Sequence, residues 1–378
     1  MQTKRDTTIS LRQAGLLFIS LYLSVAIRLE PVVSSQYAQQ AAPLAPLVSF
    51  LIFVLVIELL RRLFRQDDRF MLPEKALQIL GPRAGMAALT LAGLWFTFQA
   101  ALYLRSYSIQ LTSTIFPTVR PAVFVFLMLL PVGVVIRKGP WVLSRMNDFI
   151  VVSILVVLGV IALGVVKRID LQNLQPITWD SVLPVARAGV YSSGHWVALW
   201  AVFFLCPIVR DRGDFHPTLT LRTGLLLLAA SIVIIVMTVG SLSSRVVNHL
   251  SLPFIFAVKQ IEIASSLQKV EAPVITMWIL SDFVNIAVYS MAGMRILRKL
   301  TAAQEGDVLV PLYMAFILFL AMALTTAPME LIYLSVELFL PISAALGVGF
   351  PLLLVTVQAI RRRRGNPPPP PADPSDLP

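Results

Sequence analysis

Cysteine and histidine are almost absent from the 378-residue sequence. The single cysteine, Cys206, excludes an intramolecular disulfide and argues against a Cys-ligated metal site. The three histidines are too far apart in sequence to indicate a metal site: His195, His216 and His249. The sequence also contains no glycine-rich phosphate loop, no nucleophile elbow and no His/Cys cluster. We therefore expect no metal, no cofactor and no enzymatic activity.

Charged residues are scarce as well. They make up 13% of the chain, against about 25% in ordinary soluble domains. Apolar residues make up 57%, and the mean hydropathy is +0.81. Apolar runs of about 20 residues recur along most of the chain, and this is the length that spans the hydrocarbon core of a bilayer. These features exclude a soluble domain and predict an all-α polytopic protein embedded in the lipid bilayer.

The net charge of +11 does not indicate nucleic-acid binding. The Lys and Arg residues lie in short clusters between apolar runs, as topology signals do. We therefore expect no nucleic-acid partner. The first apolar run has the character of a retained span rather than a cleavable signal peptide.

The apolar runs predict ten transmembrane helices. They are expected near residues 10–34, 42–62, 84–112, 119–136, 147–166, 184–209, 220–243, 271–297, 309–327 and 333–360. Most Lys and Arg residues fall on one side of this arrangement, and cytoplasmic loops carry such an excess, so both termini are predicted to be cytoplasmic. Segment 244–270 is predicted to hold a short helix at the external surface. Residues 361–378 are predicted to form a disordered, Pro-rich cytoplasmic tail.

Ten spans divide into two repeats of five, about 10–166 and 184–360, within one permease-like domain over 1–360. An odd number of spans in the first repeat inverts the second repeat, and in such folds the first span of each repeat is often broken at the substrate site. Span 1 contains "SVAIRLEP", with Arg28 and Glu30 before Pro31, although each charge costs about 2.5–3.5 kcal/mol at membrane depth. Span 6 has the small and polar stretch "GVYSSGH", which weakens a helix. We therefore predict that helices 1 and 6 are both broken.

Four stretches of the sequence carry a resemblance to a known family. The strongest is "LPFIFAVKQIEIASSLQKVEAPVITMWILSDFVNIAVY", with Pro253, Ile261, Glu271 and Trp278 at the matching positions, and the others are "ISLRQAGLLFISLYLSVAI", "TSTIFPTVRPAV" and "NLQPITWDSVLPVARAG". These stretches resemble the B subunits of spore germinant receptors, the GerAB-type permeases of the amino acid–polyamine–organocation superfamily. The resemblance implies a LeuT-type fold and a germinant-sensing subunit in the spore inner membrane. It also implies two partners, a membrane subunit with soluble domains and a lipoprotein subunit.

The two predicted breaks are expected to face each other and to bind a small germinant, for which an amino acid is the favoured class. The candidate ligand-binding residues lie at the first break, on one face of span 3 and at the second break: Ser24, Val25, Ala26, Ile27, Arg28, Gln99, Tyr103, Tyr191, Ser192, Ser193, Gly194, His195 and Trp196. Each group has a simpler interpretation. Arg28 and Glu30 could be hydrated at the end of a short span, the span 3 residues could be core, and His195 could be structural.

A carboxylate inside span 8 is the candidate cation or proton site. Asp282 lies beside Ser281 and one turn before Asn285, and oxygen ligands of this kind suit hard cations. The alternative is a locally paired carboxylate. In a LeuT-type fold, spans 1 and 8 face each other around such a site, so the resemblance places these three residues opposite span 1.

Three functions remain open. The resemblance favours a sensor of a small nutrient in a germination receptor. The fold and Asp282 would also suit a proton- or cation-coupled amino-acid transporter. The absence of the family's span 1 glycines, where this chain has Ser24, Val25 and Ala26, would suit a structural scaffold.

Overall fold

The computed structural model describes residues 9–64, 69–205, 207–209, 217–260, 271–301 and 308–364. Cys206, His216, Ile261 and the tail from residue 365 onward lie outside the described residues. The structure is built almost entirely of helices, as the sequence predicts.

Fifteen α-helices follow one another in the described parts of the chain. They are α1 (Leu11–Ala38), α2 (Ala45–Leu63), α3 (Leu72–Leu80), α4 (Pro82–Thr114), α5 (Pro121–Lys138), α6 (Pro140–Val165), α7 (Val182–Ser192), α8 (Ala198–Leu205), α9 (Pro217–Leu242), α10 (Ser244–Val247), α11 (Pro253–Lys259), α12 (Glu271–Thr301), α13 (Leu309–Ala323), α14 (Pro328–Leu334) and α15 (Leu340–Arg363). Short 3-10 segments connect some of them, at Gln39–Leu44, Val166–Arg168, Leu171–Leu174 and Trp179–Ser181.

Eight stretches of the described chain are long and apolar enough to cross a membrane. One of them, Leu11–Leu63, contains both α1 and α2, and α13 is a further apolar helix of 15 residues. Together they form ten helical units, which we number helices 1 to 10 in chain order, so that helix 3 is α4, helix 6 is α7 with α8, and helix 10 is α14 with α15. Their ends lie within seven residues of those predicted for the ten spans. The protein is therefore an integral multi-pass membrane protein.

Local sequence explains where several helices begin and end. Ser10 and Gln13 form a reciprocal capping box at the start of α1. Gly81 and Gly139 have φ values of 84° and 93°, and each is followed directly by a proline that opens the next helix. Only glycine enters this backbone region easily, and proline is favoured at the first helical position. These two Gly-Pro pairs therefore set the sharp turns before α4 and α6.

The expected interruption of helix 1 is not observed, and this corrects the prediction. The helix is continuous over Leu11–Ala38, with Pro31 inside it. The sequence predicts a break because two charges and a proline at membrane depth would need hydrated, irregular backbone. In the structure Arg28 and Glu30 are instead buried and bonded to other side chains, so the backbone does not have to open.

The expected interruption of helix 6 is observed. Helix α7 ends at Ser192, a 3-10 turn spans Ser193–Val197, and α8 continues the element. A Cβ added at Gly194 would collide with the carbonyl oxygen of Leu340. Glycine at this position therefore permits the turn to pack directly against the start of α15.

Helix 10 also contains an irregular turn. Helices α14 and α15 are joined by a π-helical turn, Ser335–Phe339, so that the element is continuous but locally widened. Such turns occur frequently at functional sites. The π-helical turn is not predicted from the sequence.

A small sheet connects three chain segments at the end of the bundle where α1 begins, which we call the Ile9 end. Strand β1 (Ile9–Ser10) pairs in parallel with β3 (Ile208–Val209), with Ile9 opposite Ile208. Strand β2 (Arg69–Phe70) pairs antiparallel with β3. The opposite end, where α1 ends, is called the Gln39 end.

Helices α10 and α11 lie in segment 244–270, where a short surface helix is predicted, and residues 261–270 are outside the described chain.

Candidate functional site

A buried ion pair joins α1 to α12. Arg28 Nη2 lies 3.2 Å from Asp282 Oδ1, and Nη1 donates to Oδ2 at 3.4 Å. Ser24 Oγ donates to Oδ1 at 2.7 Å, and Arg28 Nε reaches back to the Ser24 carbonyl oxygen at 3.3 Å. Arg28 is 5% exposed and Asp282 is fully buried. The two charges therefore neutralise each other inside the bundle, with several hydrogen bonds that offset their loss of hydration.

The second charge of helix 1, Glu30, is bonded to the turn in helix 6. Ser192 Oγ donates to Glu30 Oε2 at 3.0 Å, and His195 Nδ1 lies 2.9 Å from Oε1. Tyr22 donates to Oε1 at 3.2 Å and also contacts Ser231 of α9 at 3.0 Å. All of these side chains are buried. The predicted proximity of helix 1 and the helix 6 break is therefore observed, although side chains mediate it rather than freed backbone.

A cleft opens beside the ion pair toward the Gln39 end. The cleft is narrow, and the empty space of about 660 Å³ counted there includes the solvent at its open mouth. Its walls come from α1, α4, the Ser193–Val197 turn, and helix 10 from α14 to α15. Five of the predicted ligand-binding residues line it: Val25, Arg28, Gln99, Tyr103 and Gly194.

Arg28 connects the cleft to the ion pair. One side of its guanidinium contacts Asp282, its centre lies 5.4 Å from the Tyr103 ring centroid, and its side chain lines the cleft. The cleft therefore presents a cation whose charge is already balanced behind it. A carboxylate entering the cleft would therefore share the guanidinium with Asp282.

One wall of the cleft comes from helix 10, and the sequence does not predict it. Gln99 Nε2 donates to Ser343 Oγ at 2.9 Å, and Ser335, Phe339 and Leu340 also line the cleft. Ser335 and Ser343 are polar residues within an apolar span, and they are the sequence feature that could have indicated this wall of the cleft. Serine alone in a membrane helix is too weak a feature for that prediction.

The predicted cation or proton residues lie along the face of α12 that contacts α1. Ser281 Oγ donates to the Ser20 carbonyl oxygen at 3.2 Å, and Asn285 Nδ2 donates to the Leu21 carbonyl oxygen at 3.3 Å. The buried Asn285 Oδ1 has no hydrogen-bond partner among the described residues. Oxygen atoms therefore accumulate here, although the carboxylate itself is bonded to Arg28.

The other predicted ligand residues do not line the cleft. Trp196 packs in an aromatic cluster with Tyr22 and Phe53, at centroid distances of 4.5 and 4.2 Å. Tyr191 stacks with Tyr37 at 4.6 Å. The remainder are bonded within their own helix, buried in the core or bonded to the charges described above: Ser24, Ala26, Ile27, Ser192, Ser193 and His195.

The sequence matches the spore germination protein family over residues 8–329. This chain belongs to that family. The resemblance to GerAB-type permeases that the sequence segments suggested is therefore confirmed. A comparison with curated proteins finds no match.

Crystal structures of three variants of the manganese transporter of Eremococcus coleocola are similar to this spore germination protein. Their TM-scores are 0.60, 0.57 and 0.56, at sequence identities of 13%, 12% and 12%. The match covers 94%, 94% and 91% of this chain and 82%, 82% and 78% of the transporter chains. The likeness shows a shared LeuT-type transporter fold. Over the described residues of this germination protein, no group of three His, Cys, Asp or Glu side chains is arranged to hold a metal ion.

Proposed function

We propose that this protein is the germinant-binding subunit of a spore germination receptor in the spore inner membrane. The observation that carries the proposal is the cleft with Arg28 in its wall, formed by helices 1, 3, 6 and 10 and open at the Gln39 end. The spore germination family supplies the biological context. The partners would be a membrane subunit with soluble domains and a lipoprotein subunit.

The favoured ligand is a small amino acid. Its carboxylate would bind the guanidinium of Arg28, in the planar pairing that arginine makes with carboxylates. Its ammonium group would lie toward the Gln99 side-chain oxygen and the backbone near Gly194, which line the same cleft. In this pose the ligand competes with Asp282 for Arg28. Binding would therefore alter the contact between α1 and α12, which gives the subunit a way to transmit the signal.

The proposal is tested by ligand-induced thermal stabilisation of the purified protein in lipid nanodiscs. A ligand that binds only the native state raises the apparent free energy of unfolding by RT ln(1 + L/Kd), where L is the free ligand concentration. A panel of amino acids, sugars and nucleosides is screened against the parent protein. Arg28→Gln and Gln99→Ala should abolish the stabilisation by the active amino acid. Arg120→Gln, at an exposed arginine before α5, is the matched control and should retain it.

Two outcomes would reject the proposal. One is that no amino acid stabilises the parent protein. The other is that the Arg28 and Gln99 variants respond as the parent does.

A cation- or proton-coupled amino-acid transporter is the second candidate. Asp282 supports it, because this carboxylate lies in a transporter fold beside the buried oxygen atoms of Ser24, Ser281 and Asn285. In the described conformation Arg28 takes the place that a cation would occupy next to this carboxylate. Saturable uptake into proteoliposomes that requires a sodium or proton gradient would favour the transporter. Binding without uptake favours the receptor.

A further inference from the structure

A second hollow lies at the Gln39 end, apart from the cleft. It is roomier than the cleft, the empty space of about 880 Å³ counted there includes the solvent at its open mouth, and it shares no lining residue with the cleft. It is formed where three turns meet, those that follow α1, α6 and α9. Five carboxamide side chains line it: Gln39, Gln40, Gln172, Asn173 and Asn248.

The lining has an unusual chemical composition for a protein that is 57% apolar. Besides the carboxamides it contains serine hydroxyls, Arg245 and His249, and none of its lining residues carries a carboxylate. Each carboxamide offers donors and an acceptor side by side, which suits neighbouring hydroxyl groups of a ligand. His249 Nδ1 bonds the Arg245 carbonyl oxygen at 2.8 Å, so Nε2 is the ring nitrogen available to a ligand. Arg245 adds one positive charge.

Two residues of the hollow have strained backbones. Gln39 has φ 49° and ψ −118°, and Ser243 has φ 71° and ψ 152°. Neither conformation is the ordinary left-handed one found after helices, and glycine is the residue that adopts them easily. Among the described residues, these are the two non-glycine positions with positive φ, and both line this hollow. Strained residues of this kind cluster at ligand sites.

The hollow is also bonded to the helix that carries the ion pair. The backbone N–H of Gln39 donates to the carbonyl oxygen of Ser35 in the last turn of α1. Asn248 Nδ2 donates to the same oxygen at 3.4 Å. Asn173 Nδ2 donates to the Gly240 carbonyl oxygen at 2.9 Å, in the last turn of α9. A ligand in the hollow would therefore contact groups that hold the end of α1.

We infer that this hollow binds a polyhydroxylated solute, a sugar or polyol that is neutral or carries one negative charge. It acts as a second ligand site beside the proposed amino-acid site. The carboxamides bind the hydroxyl groups, and Arg245 binds an acidic group where the ligand has one. Through Ser35, occupancy of the hollow adjusts the position of α1.

The experiment measures thermal stabilisation in nanodiscs by D-glucose, D-fructose, myo-inositol and D-glucuronate at millimolar concentration. High concentrations of polyols stabilise proteins without binding. The response must therefore appear at millimolar concentration, rise with the logarithm of ligand concentration and depend on the site. At least one probe should stabilise the parent protein, and Gln40→Ala combined with Gln172→Ala should weaken its binding at least tenfold. Arg245→Gln should weaken glucuronate more than glucose.

Gln99→Ala separates the two sites, because Gln99 lines the cleft but lies outside the ion pair and outside α1. It should leave the sugar response unchanged, and the Gln40 and Gln172 changes should leave amino-acid stabilisation intact. Failure of amino-acid binding alone rejects the proposed function and not the hollow. The inference is overturned if no probe stabilises the parent protein at millimolar concentration, if the double variant responds as the parent does, or if Gln99→Ala removes the sugar response.

Discussion

At the scale of single residues, the question posed by helix 1 is how two charges persist inside a membrane helix. Arg28 is paired with Asp282, and Glu30 accepts bonds from Tyr22 and Ser192. Asp282 and Ser192 are thus partners from other helices, and Tyr22 is a partner within helix 1. Arg28 and Asp282 therefore depend strongly on each other, because removing one of them leaves the other as an uncompensated buried charge.

Asp282→Asn should therefore destabilise the protein by about 3–5 kcal/mol, the usual cost of breaking a buried pair. Ser24→Ala removes one hydrogen bond to the same carboxylate and should cost about 1 kcal/mol. The double variant Arg28→Met, Asp282→Leu removes both charges and should recover most of the stability while losing the amino-acid response. Unfolding midpoints in detergent measure all three. A single Asp282→Asn variant as stable as the parent would show that Arg28 has another partner.

At the scale of helices, the sequence predicted the positions of all ten spans and the break in helix 6. Apolar run length sets the spans, and the density of small and polar residues in "YSSGH" sets the break. The continuity of helix 1 could not be read from the sequence. It depends on partners such as Asp282, which lies 254 positions away from Arg28 along the chain.

The candidate site was predicted only in part for the same reason. Arg28, Gln99 and Tyr103 line the cleft. The sequence could identify them because each stands out as polar or aromatic in an apolar span. The wall from helix 10 and the π-helical turn have no comparable local signal. His195 and Trp196 were chosen because they adjoin Gly194, but the 3-10 turn directs them toward Glu30 and the aromatic cluster.

Gly194→Ala should destabilise the protein by about 2–3 kcal/mol or force helix 10 outward, because the added methyl group meets the Leu340 backbone. Gly159→Ala is the matched control. Nothing lies within 4 Å of a Cβ at that position in α6, so alanine should be neutral or stabilise by up to about 1 kcal/mol. Thermal unfolding and ligand response should both change for Gly194→Ala alone. Equal behaviour of the two variants would mean that the turn does not need its close contact with α15.

At the scale of the whole molecule, the two ends of the bundle differ. The cleft opens at the Gln39 end, whereas the three-stranded sheet ties the segments before α1, before α3 and after α8 at the Ile9 end. A transporter would have to open the Ile9 end in each cycle. A receptor that binds its ligand from the Gln39 end has no such requirement.

A disulfide across the sheet tests this difference. Ile9 and Ile208 are directly paired, and neighbouring strands lie about 4.8 Å apart, within the Cα spacing of disulfides. In a Cys206→Ser background, Ile9→Cys with Ile208→Cys should bind the amino acid equally well when oxidised or reduced. Thermal stabilisation with and without reductant measures this, and each single variant serves as the control. A loss of binding on oxidation, reversed by reductant, would show that ligand binding requires the Ile9 end to open.

The orientation of the molecule decides whether the cleft and the hollow face incoming nutrients. Most Lys and Arg residues of the sequence fall in segments on the side of the Ile9 end, and the positive-inside rule predicts that this end faces the cytoplasm. Single cysteines at Gln39, Gln66 and Gln304, each in a Cys206→Ser background, report the orientation through a membrane-impermeant maleimide. Gln39 is exposed at the turn after α1 and should react from outside in intact cells. Gln66 and Gln304 should react only after permeabilisation, because an even number of spans returns both of their loops to the cytoplasmic side. The opposite pattern would turn the cleft toward the cytoplasm, where an external germinant could not reach Arg28 without being transported first.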